Sequence, residues 1–125
     1  MNKKRILVVD DEPGITRSIK LNLEVTGRYE VQTENVSVNV FNTARQFRPD
    51  LILLDVMMPG ADGGEVAAQI RESALFQGVP IIFLTAIVSK QETGGRESTI
   101  GSMSYLAKPV EWVQLQKCIE EHLGK

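Results

Sequence analysis

Apolar residues follow two rhythms along this chain. Ile6 to Val9, Leu51 to Leu54 and Ile81 to Leu84 are unbroken apolar runs. Their length and continuity predict strands buried on both faces, as in a parallel sheet covered by helices. Tyr29 to Thr33 is a weaker strand, and Ser104 to Ala107 a short last one. Between them Ile15, Ile19 and Leu23 recur at helical spacing until Gly27, which stops that helix. Val36, Val38 and Val40 alternate like a strand, yet Val40, Phe41, Ala44 and Phe47 continue at helical spacing before Arg48-Pro49. The segment from about Ser37 to Phe47 is therefore expected to be helical. Val66 and Ile70 mark a third helix, and Trp112, Leu115, Ile119 and Leu123 stripe a final one. Strand and helix alternate throughout, the pattern of an α/β doubly wound sheet.

The stretch between Thr85 and Tyr105 breaks this regularity. Ser89-Lys90-Gln91-Glu92 has capping-box spacing and predicts a helix start, but Gly94-Gly95 follows within two turns. Each glycine costs about 1 kcal/mol in a helix interior. A short, displaced or mobile helix is expected there.

Composition narrows the class. The 125 residues, 42% of them hydrophobic, suit one domain with a real core, so residues 1–125 are read as a single unit. Fourteen basic against sixteen acidic residues give a net charge of −2, with no positive field to recruit nucleic acid or an anionic membrane. No apolar run reaches the roughly 18–20 residues of a membrane span, and Met1 to Arg5 lacks the apolar segment of a secretion signal. A cytoplasmic protein without membrane insertion is expected. Cys118 is the only cysteine, which excludes an intrachain disulfide and a cysteine-based zinc site.

Polar residues close the apolar runs. In an open parallel α/β sheet, ligands gather beyond the carboxyl ends of the strands. Asp10 and Asp11 follow the first run, Asp55 the third strand, Thr85 the fourth and Lys108 the fifth. Three carboxylates on one rim repel one another unless a cation neutralises them. With no histidine or thiolate nearby, a hard ion such as Mg²⁺ suits them better than a transition metal. A divalent ion, an ammonium and a hydroxyl together suit a phosphoryl group, and a carboxylate can accept one as an acyl phosphate.

Asp10-Asp11, Asp55 followed by Met58-Pro59-Gly60, Thr85-Ala86 and Lys108-Pro109 together resemble the receiver domain of two-component response regulators, over essentially the whole chain. The resemblance implies a flavodoxin-like (βα)5 fold with a five-stranded parallel sheet in the order 2-1-3-4-5. It implies that Asp55 is the phosphoacceptor, that Asp11 and Asp55 ligate Mg²⁺ directly with Asp10 partly through water, and that the Met57 carbonyl completes the protein ligands. Lys108 and Thr85 would each hold a phosphoryl oxygen. A phosphoryl group of about two negative charges on Asp55 would draw Thr85 inward and let the ring of Tyr105 turn, altering the face around the last strand and helix. Pro109 matches a position whose peptide bond is frequently cis in the family. The phosphoryl donor would be a sensor histidine kinase or phosphotransfer protein. The receiver of the signal would be a downstream protein or a fused output domain. Such a domain is a signalling module, catalysing only its own Mg²⁺-dependent phosphorylation and dephosphorylation.

Taken singly, each residue has an ordinary structural reading: Asp10-Asp11 a turn or helix cap, Asp55 a turn residue, Thr85 a buried hydroxyl, Lys108 a surface amine, Tyr105 packing. Their joint placement at strand ends favours the functional reading. Two departures from the family stand out. Met57 and Ile87 are apolar where many receivers that dephosphorylate fast carry polar groups, which points to a long-lived acyl phosphate. Gly94-Gly95 and Gly101-Ser102-Met103-Ser104 replace a regular fourth helix and acidic turn, which puts in doubt the symmetric dimer that transcription-factor receivers build there. A metal-dependent phosphatase of the haloacid dehalogenase class also uses an aspartate nucleophile, but it needs a second acid two residues later, where Met57 stands. A degenerate receiver acting as a phosphorylation-independent scaffold is the remaining alternative. The chain ends shortly after the last helix, which fits either a stand-alone regulator or a receiver from a longer protein.

Overall fold

The computed structural model describes residues 3–56, 63–85, 98–100 and 103–124. Six strands form one sheet: β1 (Lys4–Val9), β2 (Tyr29–Glu34), β3 (Leu51–Asp55), β4 (Ile81–Thr85), β5 (Ser98–Ile100) and β6 (Met103–Ala107). Among the described residues four α-helices accompany them: α1 (Pro13–Glu24), α2 (Val40–Phe47), α3 (Gly63–Glu72) and α4 (Trp112–Leu123). The spatial order is β2-β1-β3-β4-β6-β5, with every pair parallel except β5 with β6. The parallel strands taken alone follow the order 2-1-3-4-5, the flavodoxin-like arrangement.

The unbroken apolar runs are explained by the pleat, which sends successive side chains to opposite faces. Ile6, Val8, Leu51, Leu53, Ile82 and Leu84 meet Ile19 and Leu23 of α1 and Leu115, Cys118 and Ile119 of α4. Leu7, Val9, Ile52, Leu54, Ile81 and Phe83 meet Val40 and Ala44 of α2 and Val66, Ala67 and Ile70 of α3. Leu51 to Leu54 are fully buried, each such side chain contributing about 1.5–3 kcal/mol relative to exposure. A one-residue slip of β3 would exchange its two apolar sets between faces, so its register is strongly specified.

Local chemistry sets the ends. Pro13 opens α1, where its missing N–H is not needed, and Gly27 has φ +77 beyond the end of that helix. Arg48 closes α2 in the left-handed region at φ 58, its N–H donating to the Ala44 carbonyl. The helix expected from about Ser37 begins instead as a 3-10 turn over Ser37–Asn39, and α2 proper starts at Val40. The Glu34 carboxylate accepts from the backbone N–H groups of Asn35 (3.1 Å) and Val36 (3.0 Å), holding this entry in a turn.

The antiparallel β5 was not anticipated. The helix start at Ser89 to Glu92 and the Gly94-Gly95 interruption lie outside the described residues, but residues 98–100 are strand. Ser98 pairs with Tyr105, Thr99 with Ser104 and Ile100 with Met103. Thr99 and Ile100 are β-branched, and two residues, Gly101 and Ser102, separate the strands, a common hairpin spacing. Among the described residues, no helix is long and apolar enough to cross a membrane.

Candidate functional site

Parallel pairing brings the carboxyl ends of neighbouring strands onto one rim. Val9 lies beside Leu54, Asp55 beside Leu84, and Thr85 beside Ala107. Asp10, Asp55, Thr85 and Lys108 therefore follow one another across β1, β3, β4 and β6. Asp10, Asp55 and Thr85 are all buried, at 0%, 4% and 2% relative exposure. Burial of unpaired carboxylates is costly, so their partners decide what the site is.

Lys108 supplies the main one. Its Nζ lies 2.7 Å from Asp10 Oδ2 and 3.3 Å from Asp55 Oδ1. The Lys108 N–H donates to the Thr85 carbonyl at 2.9 Å, which extends the β4–β6 ladder by one residue and aims the side chain across the rim. The peptide bond from Lys108 to Pro109 is cis. Burial pushes the Lys108 pKa down, but the hydrogen bond and charge of Asp10, followed by the charge and hydrogen bond of Asp55, outweigh it and leave the ammonium above its ordinary value.

Asp11 completes the cluster. One carboxylate oxygen each from Asp10, Asp11 and Asp55 lie within 4.8 Å of one another. Three carboxylates against one ammonium leave negative charge in excess. The donors are all hard oxygens, while the only histidine and cysteine, His122 and Cys118, both sit on α4 and contact each other at 3.9 Å. Such a donor set fits Mg²⁺ and disfavours zinc or copper. The carbonyl of Met57, another expected ligand, and the turn at Met58-Pro59-Gly60 lie outside the described residues, as do Ala86 and Ile87.

Tyr105 stands one strand from the chemistry. Its ring is half-buried and stacks on Phe83, with centroids 5.4 Å apart and planes at 29°. Phe83 and Tyr105 are cross-strand partners in the β4–β6 register, and Thr85 lies two residues beyond Phe83.

Sequence reasoning missed Glu34, Asn35 and Thr16. The Asn35 side chain donates to the Asp10 carbonyl at 2.8 Å and to Thr16 Oγ1 at 3.1 Å. A signal existed: Asn35 follows β2, so it stands on the same rim as the other strand ends. A separate cleft of about 960 Å³ lies at the opposite end of the sheet, lined by residues including Lys4, Tyr29 and Arg48 and by none of the rim residues. Volume alone is a poor guide here, since the convergent ionisable groups are on the rim.

Comparison with known proteins agrees with this geometry. The family model for the response regulator receiver domain matches residues 6–120. The response regulator Rre1 of Synechocystis is 32% identical over 96% of this chain and 52% of its own length. The chain thus spans about half of that relative. The chemotaxis protein CheY4 of Vibrio cholerae superposes with a TM-score of 0.82 at 30% identity, covering 98% of this chain and 100% of that one. The receiver domain of the sensor histidine kinase PA1611 of Pseudomonas aeruginosa, whose structure has a magnesium ion coordinated in the active-site cleft, superposes at 0.79 with 28% identity, covering 99% and 100%. With the fold, the rim and the family match in agreement, the chain belongs to the response regulator receiver domain family.

Proposed function

We propose that this chain is a phosphoacceptor, in which Asp55 takes a phosphoryl group from a sensor histidine kinase or phosphotransfer protein. The observation that carries the reading is the Lys108 ammonium set between buried Asp10 and Asp55, 2.7 Å and 3.3 Å away, with Asp11 in the same cluster. A purely scaffolding domain has no need of three acids and a lysine held together against their own desolvation cost.

In the transfer, an Asp55 carboxylate oxygen forms a bond to phosphorus while the P–N bond of the donor phosphohistidine breaks, its electron pair leaving on the imidazole nitrogen. Asp10, Asp11 and Asp55, with the Met57 carbonyl, are the groups assigned to hold Mg²⁺. When bound, that ion supplies positive charge against carboxylate repulsion and the phosphoryl oxygens. Lys108 exchanges its contact with Asp55 for one with a phosphoryl oxygen, and the Thr85 hydroxyl donates to another; the support is their position on the same rim.

Output follows from the same charge change. A phosphoryl group brings about two negative charges where the free carboxylate carried one. Thr85 moves toward it, and Tyr105 turns from its place beside Phe83, changing the surface formed with α4 for a downstream protein or a fused output domain. Residues 1–125 act here as one receiver domain. Apolar Met57 and Ile87 leave the attacking water without side-chain orientation, so the acyl phosphate is long-lived. A Met57→Asn, Ile87→Glu double variant that loses phosphate no faster than the parent would contradict this last point.

The test is phosphorylation by a small acyl phosphate donor with Mg²⁺, read by intact mass. One phosphoryl group is expected on the parent and none on Asp55→Asn. No adduct on the parent favours the scaffold.

A further inference from the structure

We propose that Asn35, anchored by Thr16, is a positioning residue for the acidic pair Asp10-Asp11, setting the site's Mg²⁺ affinity without touching the ion. This inference rests on the phosphoacceptor reading and concerns the geometry of the same rim.

Both peptide planes that flank the Asp10 Cα are anchored. The Asp10 N–H donates to the Glu34 carbonyl at 3.2 Å, and the Asp10 carbonyl accepts from Asn35 Nδ2 at 2.8 Å. Each peptide unit is planar, so anchoring one on either side of a Cα fixes that residue's φ and ψ together. The second plane is also the one that leads into Asp11, so the Asn35 bond sets the direction from which the next carboxylate departs. Consecutive residues, 34 and 35, thus clamp the backbone that carries both acids.

The orientation of the Asn35 amide is determined by its neighbours. The Thr16 hydroxyl donates to the Pro13 carbonyl at 3.1 Å, leaving its lone pairs to face Asn35. The Asp10 carbonyl can only accept. Both partners therefore require Nδ2, and the amide's two protons are used one on each. Thr16 is itself buried, at 2% exposure, and lies in the first turns of α1, so the clamp ties α1 and β1 to the end of β2.

The clamp has its own support. Glu34 Oε2 accepts from the N–H groups of Asn35 and Val36, while Oε1 accepts from the Thr43 hydroxyl on α2. Asn35 is thereby held at its backbone as well as its side chain. The Asp10 side chain has separate restraints, with Oδ1 accepting from the Glu12 N–H at 3.0 Å and Oδ2 facing Lys108. Removing Asn35 leaves these in place but frees the peptide plane between the acids.

The expected effect follows from what outer partners of metal ligands do elsewhere, where their loss costs about 10–100-fold in affinity. Asn35 acts on the ligands' backbone, so Asn35→Ala is expected to raise the Mg²⁺ Kd about 10-fold, at the low end of that range. The measurement is calorimetric titration of the full chain with Mg²⁺, alongside phosphorylation rates across Mg²⁺ concentrations. Thr16→Val, which keeps shape but removes the acceptor that orients the amide, is expected to raise Kd by a smaller factor. The double variant should be no weaker than Asn35→Ala, because the two act through one bond. At saturating Mg²⁺ the phosphorylation rate of each variant should return to that of the parent, which a general loss of folded structure would not allow. A parent Kd retained in Asn35→Ala overturns the inference, as does additivity of the two substitutions. Should Asn35→Ala not fold, Thr16→Val decides alone, an unchanged Kd counting against the clamp. A parent that binds no Mg²⁺ overturns both this inference and the phosphoacceptor reading, whereas binding with no Asn35 dependence overturns only the former.

Discussion

The two sides of the rim are held in different ways. On the β1 side, Asp10 is fixed through its N–H, carbonyl and both carboxylate oxygens by Glu34, Asn35, Glu12 and Lys108. On the β4–β6 side, backbone ladder bonds, such as Lys108 N–H to the Thr85 carbonyl, run beside a ring stack between Phe83 and Tyr105. A metal site needs ligands whose positions are settled before the ion arrives, and the braced side would supply them in the proposed Mg²⁺ site. A switch needs a side chain that can take a second placement, and the proposed switch ring of Tyr105 is only half-buried on a strand one in from the sheet edge. Lys108 belongs to both sides, since its backbone continues β6 while its ammonium reaches Asp10.

Substitutions on either side should therefore fail differently. The largest effect is expected at Lys108. Without metal, Lys108→Met leaves clustered carboxylates with no ammonium, and urea unfolding should show a loss of about 2 kcal/mol, discounted from the fully buried case because the amine keeps some contact with solvent. Saturating Mg²⁺ should recover most of that loss, while phosphorylation remains impaired. Equal metal-free stability in parent and variant would make the ammonium a bystander.

Tyr105→Ala comes next. Loss of the stacked, half-buried ring should cost about 1–2 kcal/mol, yet leave the Mg²⁺ Kd at the parent value, because nothing on the braced side changes. A weakened Kd would mean that the two sides are not separable.

The Lys108 contribution also has a pH signature. The folded protein holds this proton more tightly than the unfolded chain does. Its stabilisation is complete below the ordinary lysine value of about 10.4 and is lost as pH rises through the higher folded value. Unfolding measured from neutral to strongly alkaline pH should show this component in the parent and not in Lys108→Met. Parallel curves would contradict the assignment.

The smallest effect is expected at β5. Thr99→Pro interrupts a three-residue strand, and should cost no more than about 1 kcal/mol while leaving phosphorylation intact. A collapse in phosphorylation would instead make the hairpin part of the chemistry.

The same contrast governs what could be read from sequence. Strands buried on both faces have a direct signature, and Ile6 to Val9, Leu51 to Leu54 and Ile81 to Leu84 each became a strand with alternate side chains in opposite cores. Once those ends were placed, the rim followed, because parallel pairing carries Asp10, Asp55, Thr85 and Lys108 to one edge. β5 was hidden because it has only three residues and lies beyond two glycines, in a segment whose capping-box signal favoured helix. The start of α2 was displaced because Glu34, a residue outside the apolar pattern, caps the turn before it. For Asn35 only its place after β2 was legible: its bond to the Asp10 backbone carbonyl leaves no mark in side-chain patterns, and its bond to Thr16 joins residues far apart in sequence.

Whether Asp55 accepts a phosphoryl group is the central question. Intact mass of the full chain after incubation with a small acyl phosphate and Mg²⁺ reads this directly. The expected result is one added phosphoryl group on the parent, absent with chelator and absent in Asp55→Asn. A parent that gains none, or an Asp55→Asn variant that gains one as readily, would contradict it.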